Sequence, residues 1–403
     1  MRKPFLFPVG PLRAEHSSHG AEHGTNHAGG FRADLSGQRG SAVRHGDAWM
    51  DVGVRASRSG EQSTGTVSGG WQRTPGAGRT DGGDVRATGG RDLDGSPRFD
   101  QSLAPGAYLW WYVDALSDCG NYGLTIIAFV GSVFSPYYRS AFARGEGDPE
   151  NHVAINVALY GAKQRWTMTE RSRDSLQRDV HSFRVGPSAL TWDGNCLEIA
   201  IQEIGMPIPW PVRGKVRVYP QVLSMFGADL DAGGLHRWGP IAACARVEAE
   251  FTHPAIRWKG HGYLDSNEGD EPIDCRFREW DWSRATLADG STAVIYDVQP
   301  KIGDDRVIAQ RFFPDGRVEP FTPPARHALP KTGWRIDRRQ RSDDDAPVSV
   351  IEQLEDTPFY QRAVLASGLF GQRVISVHET LNVPRLVSPI VQRMLPFRMP
   401  RLR

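Results

Sequence analysis

The chain has 403 residues, with 48 Lys or Arg against 47 Asp or Glu, for a formal charge of +1. That balance excludes a large basic nucleic-acid footprint and a highly acidic solvating chain, while the length allows two folded domains at roughly 100–200 residues each. The four cysteines (Cys119, Cys196, Cys244, Cys275) are too few for a disulfide scaffold and contain no C-x-x-C, so they read as reduced core or strand residues rather than a zinc or redox site.

Residues 1–104 read as a low-complexity, disordered segment. The first hundred hold 20 of the 44 Gly and 5 of the 12 His, with no Ile, Tyr or Cys. Such a composition buries too little apolar surface to offset the entropy of ordering. His16, His19, His23, His27 and His45 are read as part of this polar tract, not as a metal site. The opening Met1–Val9 is interrupted by Pro4 and Pro8 and leads into no apolar h-region, so no secretory signal is expected.

From Pro105 the texture is that of an all-β protein, with short β-branched and aromatic runs separated by Gly, Pro, Asp and Asn. In chain order they are Tyr108–Val113, Leu124–Phe134, Val153–Tyr160, Arg165–Thr169, Leu197–Gln202, Lys215–Tyr219 and Ala245–Phe251. Then come Ile256–Leu264, Asp274–Trp282, Thr292–Val298, Val307–Phe313, Val348–Leu354, Tyr360–Leu365 and Arg373–Leu381. Fourteen runs exceed one eight-stranded barrel, so two antiparallel barrel or sandwich domains are expected, residues 105–243 and 244–403. The best short helix candidate is Glu170–Val180. The most apolar run, Leu124–Phe134, is about half the roughly 20 residues that a transmembrane helix needs. Beyond Glu379 the chain has no acidic residue, and Arg385, Arg393, Arg398, Arg401 and Arg403 alternate with apolar side chains. This tail reads either as a last strand closing the second barrel with its arginines in water, or as a patch for anionic lipid.

Two constellations place reactive side chains at i and i+2, which on a strand puts them on one face. One is His236-Arg237-Trp238. The other is Tyr263-Leu264-Asp265, with His261 at the same parity. Facing inward, they would give one cavity an acid, an imidazole and two aromatic rings; the plainer reading of Tyr263 and Asp265 is a hydrogen-bonded pair at a strand end. Trp110, Tyr112 and Asp114 repeat the pattern, and Trp280-Asp281-Trp282 reads as core tryptophans around an outward Asp, or as a carbohydrate-stacking face. There is no Walker loop, G-x-G-x-x-G, G-x-S-x-G or H-E-x-x-H, and the His and Cys spacing offers no zinc set.

Longer motifs carry a family resemblance. They are Trp110-Trp111-Tyr112-Val113-Asp114-Ala115-Leu116-Ser117, the stretch Gly123–Phe129 with Gly131–Tyr138, Asn156–Gly161 and Arg165–Arg171. The series continues with His236-Arg237-Trp238-Gly239-Pro240, Gly262–Asn267, Trp280–Ala285 and the ending Leu395–Arg401. Residues 105–403 thereby resemble the acyclic carotenoid 1,2-hydratases, or hydroxyneurosporene synthases, of phototrophic bacteria. The resemblance implies two lipocalin-like β domains and a hydratase without cofactor or metal. It would add water across the terminal C1–C2 double bond of acyclic carotenoids such as neurosporene or lycopene. The active-site residues proposed for the family match His236, Trp238, Tyr263 and Asp265. On this reading Asp265 is the proton donor, Trp238 and Tyr263 offer π faces to a carbocation, and neutral His236 either bonds Asp265 or deprotonates water. Expected partners are the carotenoid, water and a membrane touched peripherally from the cytoplasmic side, with no nucleic acid. A non-catalytic lipocalin-like carotenoid or lipid carrier, and a periplasmic carbohydrate-active β protein, are the rival readings.

Overall fold

A computed structural model of the chain describes residues 89–402. The expectations for residues 1–88, including disorder and the histidine tract, lie outside the described residues. Residues 89–104, read from composition as part of that tract, pack instead into the fold. Phe99 is fully buried, its ring centroid 4.7 Å from that of Trp111 and 6.4 Å from that of Phe183. The Arg91 guanidinium donates to the carbonyls of Ser224 (2.7 Å) and Pro240 (3.1 Å). Burying one Phe contributes about 1.5–3 kcal/mol toward the ordering of this segment, beside the Arg91 hydrogen bonds.

The fold is mainly β. Among the described residues a fourteen-stranded sheet holds the first half of the chain and a seven-stranded sheet the second. Both are open in strand order, so the expected layers are present without closed barrels. In the first sheet, Tyr108–Ser117 lies between Tyr122–Val130 and Ala255–Gly269, and His236–His253 pairs the far side of Ala255–Gly269. In the second, Phe277–Thr286 lies between Thr292–Pro300 and Gln372–Asn382, with Tyr360–Leu369 next. Position 243/244 falls inside the strand His236–His253, and the second sheet begins only at Phe277.

Strand periodicity decides what each face does. In Tyr108–Ser117, Leu109, Trp111, Val113 and Ala115 enter an aliphatic core belonging to the first sheet. The alternate residues Tyr108, Trp110 and Tyr112 enter a second, aromatic core shared with Trp280, Trp282 and Tyr296 of the second sheet. A strand buried on both faces must be apolar at every position, which explains the unbroken run Tyr108–Val113. In His236–His253 the register shifts between Pro240 and Ala242 and again before Ala245. Such bulges re-aim side chains: Ala242, at the parity of Trp238, joins the aliphatic core, whereas Ala243 joins the aromatic one with Trp238.

All fourteen expected runs contain strands, although residues 131–134, Thr169, residues 274–276, Phe313 and Val348 lie outside them. The segment Glu170–Val180 is not a helix: it holds strand residues at 170–171 and 176–178 around a single 3-10 turn. Its ends are held from outside, because Glu170 bonds His152 Nδ1 (2.7 Å) and Arg401, and Arg173 reaches Asp148 (2.7 Å). The C-terminal tail is not a last strand of the second sheet. It forms short helices at Val383–Leu386 and Pro389–Met394, then pairs Arg401–Leu402 in parallel with Glu170–Arg171 of the first sheet. Nor are all its arginines in water, since Arg398 lies 4.2 Å from the Trp166 ring centroid and Arg401 meets Glu170. Cys196 and Cys244 are buried, whereas Cys119 and Cys275 are exposed and outside strands.

Candidate active site

The aromatic core is incompletely filled. Between the sheets lies a cavity of about 1170 Å³, mouth included. Trp110, Tyr112 and Asp265 line it from the first sheet, Trp280, Trp282 and Glu379 from the second, and Val391, Leu395 and Met399 from the tail. The opposite side of the tail exposes Ile390 (71%) and Phe397 (74%).

Asp265 is 2% exposed. Its Oδ2 accepts from the indole Nε1–H of Trp238 (2.8 Å) and the hydroxyl of Tyr263 (2.8 Å), which are themselves 3.2 Å apart. Asn267, two residues on and on the same face, makes a long contact from Nδ2 to Oδ1 (3.4 Å). All three donors are neutral. Burial therefore dominates and pushes the Asp265 pKa up to about 8, against the lowering effect of the Trp238 and Tyr263 hydrogen bonds. With Oδ2 occupied by two donors, the acidic proton belongs on Oδ1.

Three of the four residues singled out in the sequence thus meet at one carboxyl, but only Asp265 is among the residues lining the cavity. Trp238 and Tyr263 stand behind it and present their polar edges. His236 lies apart. Its Nδ1 is at hydrogen-bond distance from the Tyr108 hydroxyl (2.9 Å), its ring packs on Phe277 (4.6 Å), and Nε2 is 3.8 Å from Glu271. Burial lowers the His236 pKa, which keeps the ring neutral at pH 7. Tyr108 in turn stacks on Trp110 of the cavity wall (4.9 Å, 14°). The close approach of Tyr108 and His236 needs a glycine beside them: a Cβ on Gly269 would come within 2.3 Å of the Tyr108 ring and 2.6 Å of His236 Nδ1. His261, though at the parity of Tyr263, is exposed and faces Asp118 (3.9 Å).

Next to this group lies a charged one. Asp114, paired across strands with Tyr263, is fully buried between Arg284 and Arg362, with Arg362 Nη2 at 2.9 Å from Oδ2. Arg362 also holds Glu379, and the Tyr112 hydroxyl lies 2.6 Å from Glu379 Oε1. Burial raises the Glu379 pKa, opposed by Arg362 and by the Tyr112 hydrogen bond. Trp280 and Trp282 face the cavity as aromatic walls. Asp281 between them does not point outward to solvent: it is 4% exposed and accepts from Thr380 (2.5 Å). Sequence reasoning missed Asn267, Arg284, Arg362 and Glu379. Asn267 carries the same i+2 signal as Asp265, whereas the others meet the site only through the packing of the two sheets.

A family model for carotenoid hydratase CrtC matches residues 126–403. An acyclic carotenoid 1,2-hydratase of Rubrivivax gelatinosus is 58% identical over 379 residues, covering 93% of either chain. Another, of Thiocapsa roseopersicina, is 47% identical over 404 residues and covers 100% of both. The architecture is similar to the crystal structure of an AttH-type protein from Nitrosomonas europaea, with a TM-score of 0.50 at 14% identity, covering 68% of this chain and 91% of that one; the likeness is one of fold. From the second strand of the first sheet to the C-terminus the match is continuous, and this chain belongs to the carotenoid hydratase CrtC family.

Proposed function

We propose that this protein is an acyclic carotenoid 1,2-hydratase. It adds water across the terminal C1–C2 double bond of substrates such as neurosporene and lycopene to give 1-hydroxy carotenoids. The observation that carries the reading is a buried carboxyl with a pKa of about 8 on the wall of an aromatic cavity. A trisubstituted alkene is not attacked by water until it is protonated, and protonation at C2 leaves a tertiary cation at C1. The donor must still hold its proton at working pH, which desolvation provides for Asp265.

Trp238 and Tyr263 fix the Asp265 carboxyl and stabilise the carboxylate left after transfer, through their Nε1–H and O–H groups. The π faces offered to the cation are those on the cavity wall, among them Trp282 and Tyr112, at about 0.5–2 kcal/mol each where desolvated. His236 acts as a positioning residue through Tyr108 and Trp110. Hydration leaves the oxidation state unchanged, so its chemistry requires no redox cofactor. The carrier alternative is not favoured, since the close relatives are named as hydratases.

A polyene substrate resides in the bilayer, and no helix among the described residues is long and apolar enough to cross one. The same reading includes peripheral attachment at the cytoplasmic face of the inner membrane. Exposed Ile390 and Phe397, on the segment whose other side lines the cavity, support it, together with the exposed Arg393 between them. Ile390→Ser with Phe397→Ser should weaken co-sedimentation with anionic vesicles about tenfold or more. Unchanged binding by the folded variant would remove the tail from this role.

The activity is tested by anaerobic incubation with detergent-dispersed lycopene or neurosporene in ¹⁸O-water, without added cofactor. The expected product is a 1-hydroxy carotenoid carrying the label. Unchanged carotenoid recovered from a folded, carotenoid-binding protein would overturn the proposal and favour the carrier.

A further inference from the structure

Hydration needs a second group, because the water that captures the cation must lose a proton. His236 is not on the cavity wall, and Asp114 is enclosed by Arg284 and Arg362. Two glutamates do line the cavity, Glu355 and Glu379. Glu355 is engaged by Tyr160 (2.6 Å) and lies 3.8 Å from Arg398. Glu379 shares its neighbours with Asp265. Tyr112, whose hydroxyl bonds Glu379, is the cross-strand partner of Asp265. Trp282, the cross-strand partner of Glu379, packs on Tyr263 (5.4 Å) and Tyr112 (5.5 Å). Asp265 and Glu379 thus flank one aromatic surface from opposite sheets, and 12% of the Glu379 side chain is exposed.

Two further atoms belong to the same cavity wall. Trp282 Nε1 and Asn267 Oδ1 are buried on the cavity wall with no hydrogen-bond partner among the described residues, and both residues are 4% exposed. An unpaired buried donor and acceptor cost about 1–3 kcal/mol each. A water that accepts from Trp282 and donates to Asn267 or Glu379 would satisfy them.

Resting on the hydratase reading, we propose that Glu379 is the base of the reaction, taking the proton of a water oriented by Trp282 Nε1–H and Asn267 Oδ1. Asp265 delivers its proton to C2, the C1–C2 π pair forms the new C–H bond, and the water oxygen bonds C1. The water's surplus proton passes to Glu379. Its return to Asp265 before the next turnover closes the balance at alkene plus water to alcohol. Burial raises the Glu379 pKa; Arg362, against it, opposes that shift, in the direction of the charged form that a base requires.

The test is Glu379→Gln in deuterated water with dispersed lycopene, beside wild type and Asp265→Asn. Hydration by Glu379→Gln should fall about 100-fold. Deuterium should still enter C2 of the recovered alkene, because Asp265 continues to protonate it reversibly. Asp265→Asn should lose both. Wild-type hydration rates in Glu379→Gln would overturn the proposal. So would loss of exchange together with hydration in a variant that still binds carotenoid, since Glu379 would then act through the acid or the fold. If Glu379→Gln does not fold, Trp282→Phe carries the test: hydration should drop about tenfold with exchange retained, and unchanged hydration or lost exchange would contradict the assignment. Wild type that binds lycopene without hydrating it would instead defeat the activity on which the proposal rests.

Discussion

Asp265 and Asp114 sit on adjacent strands and face the same inter-sheet region, both almost without solvent exposure, yet their surroundings are opposite. Around Asp265 the donors are an indole, a phenol and an amide, none of them charged. Around Asp114 stand two guanidinium groups and the Tyr112 hydroxyl. Burial is common to both, so the difference lies in the charge of the partners. Neutral donors orient a carboxyl while leaving it able to keep its proton; two guanidinium groups pair Asp114 to the second sheet and tie the two sheets together. The first arrangement suits an acid that must protonate carbon, and the second suits a structural joint that also holds Glu379 in place.

The strongest way to break this comparison is Asp265→Asn. Hydration should fall about 10³-fold or more, with carotenoid binding retained, as followed by product chromatography and the absorbance of bound polyene. The same variant should be more stable than wild type at alkaline pH. The folded carboxyl keeps its proton to about pH 8 and the unfolded one only to about pH 4, so ionising it costs the folded state stability as pH rises between these values. The gain should reach up to about 5 kcal/mol well above pH 8 and vanish near pH 4, as measured by urea unfolding across pH. Arg362→Met tests the other side. It strips Glu379 of its guanidinium and leaves Asp114 with Arg284 alone, and should cost about 3–5 kcal/mol in the same unfolding assay. A smaller effect is expected from Tyr263→Phe. Losing a donor to the carboxylate raises the Asp265 pKa, so the alkaline limb of the activity profile should move up by about one pH unit or less. A downward shift would mean that Tyr263 serves the protonated form.

Much of this was legible in the sequence. Every expected strand run contains a strand, and the i+2 spacing of Tyr263 and Asp265 correctly puts both on one face, because the side-chain period of a strand is strict. Parity holds for His236 and Trp238, which both meet residues of the aromatic core, and fails only at the bulges after Pro240, where Ala242 enters the aliphatic core and Ala243 the aromatic one. His236 bonds Tyr108 rather than Asp265 because it lies opposite Gly269, farther along the neighbouring strand. The pairing of Asp114 with Arg362, 248 positions later, exists only through sheet packing and has no local signature. Helical segments were missed for a different reason. Ser135-Pro136 and Ser388-Pro389 are N-cap and first-turn signals, with both serine hydroxyls accepting from backbone N–H groups, but the helices after them, of eight and six residues, are too short to show a helical hydrophobic period. At Glu170–Val180 the reverse occurred, where contacts from Asp148, His152 and Arg401 override a helical composition.

The central claim is that Asp265 is a protonated acid in the resting enzyme. It is tested most directly by infrared difference spectroscopy of wild type against Asp265→Asn, titrated from pH 6 to 10 beside the hydration rate. The account predicts a protonated-carboxyl band at pH 7 that is absent from the variant. The band should disappear with a midpoint near pH 8, and activity should fall in step. A carboxylate already ionised at pH 6, or activity that persists unchanged while the band is lost, would contradict it.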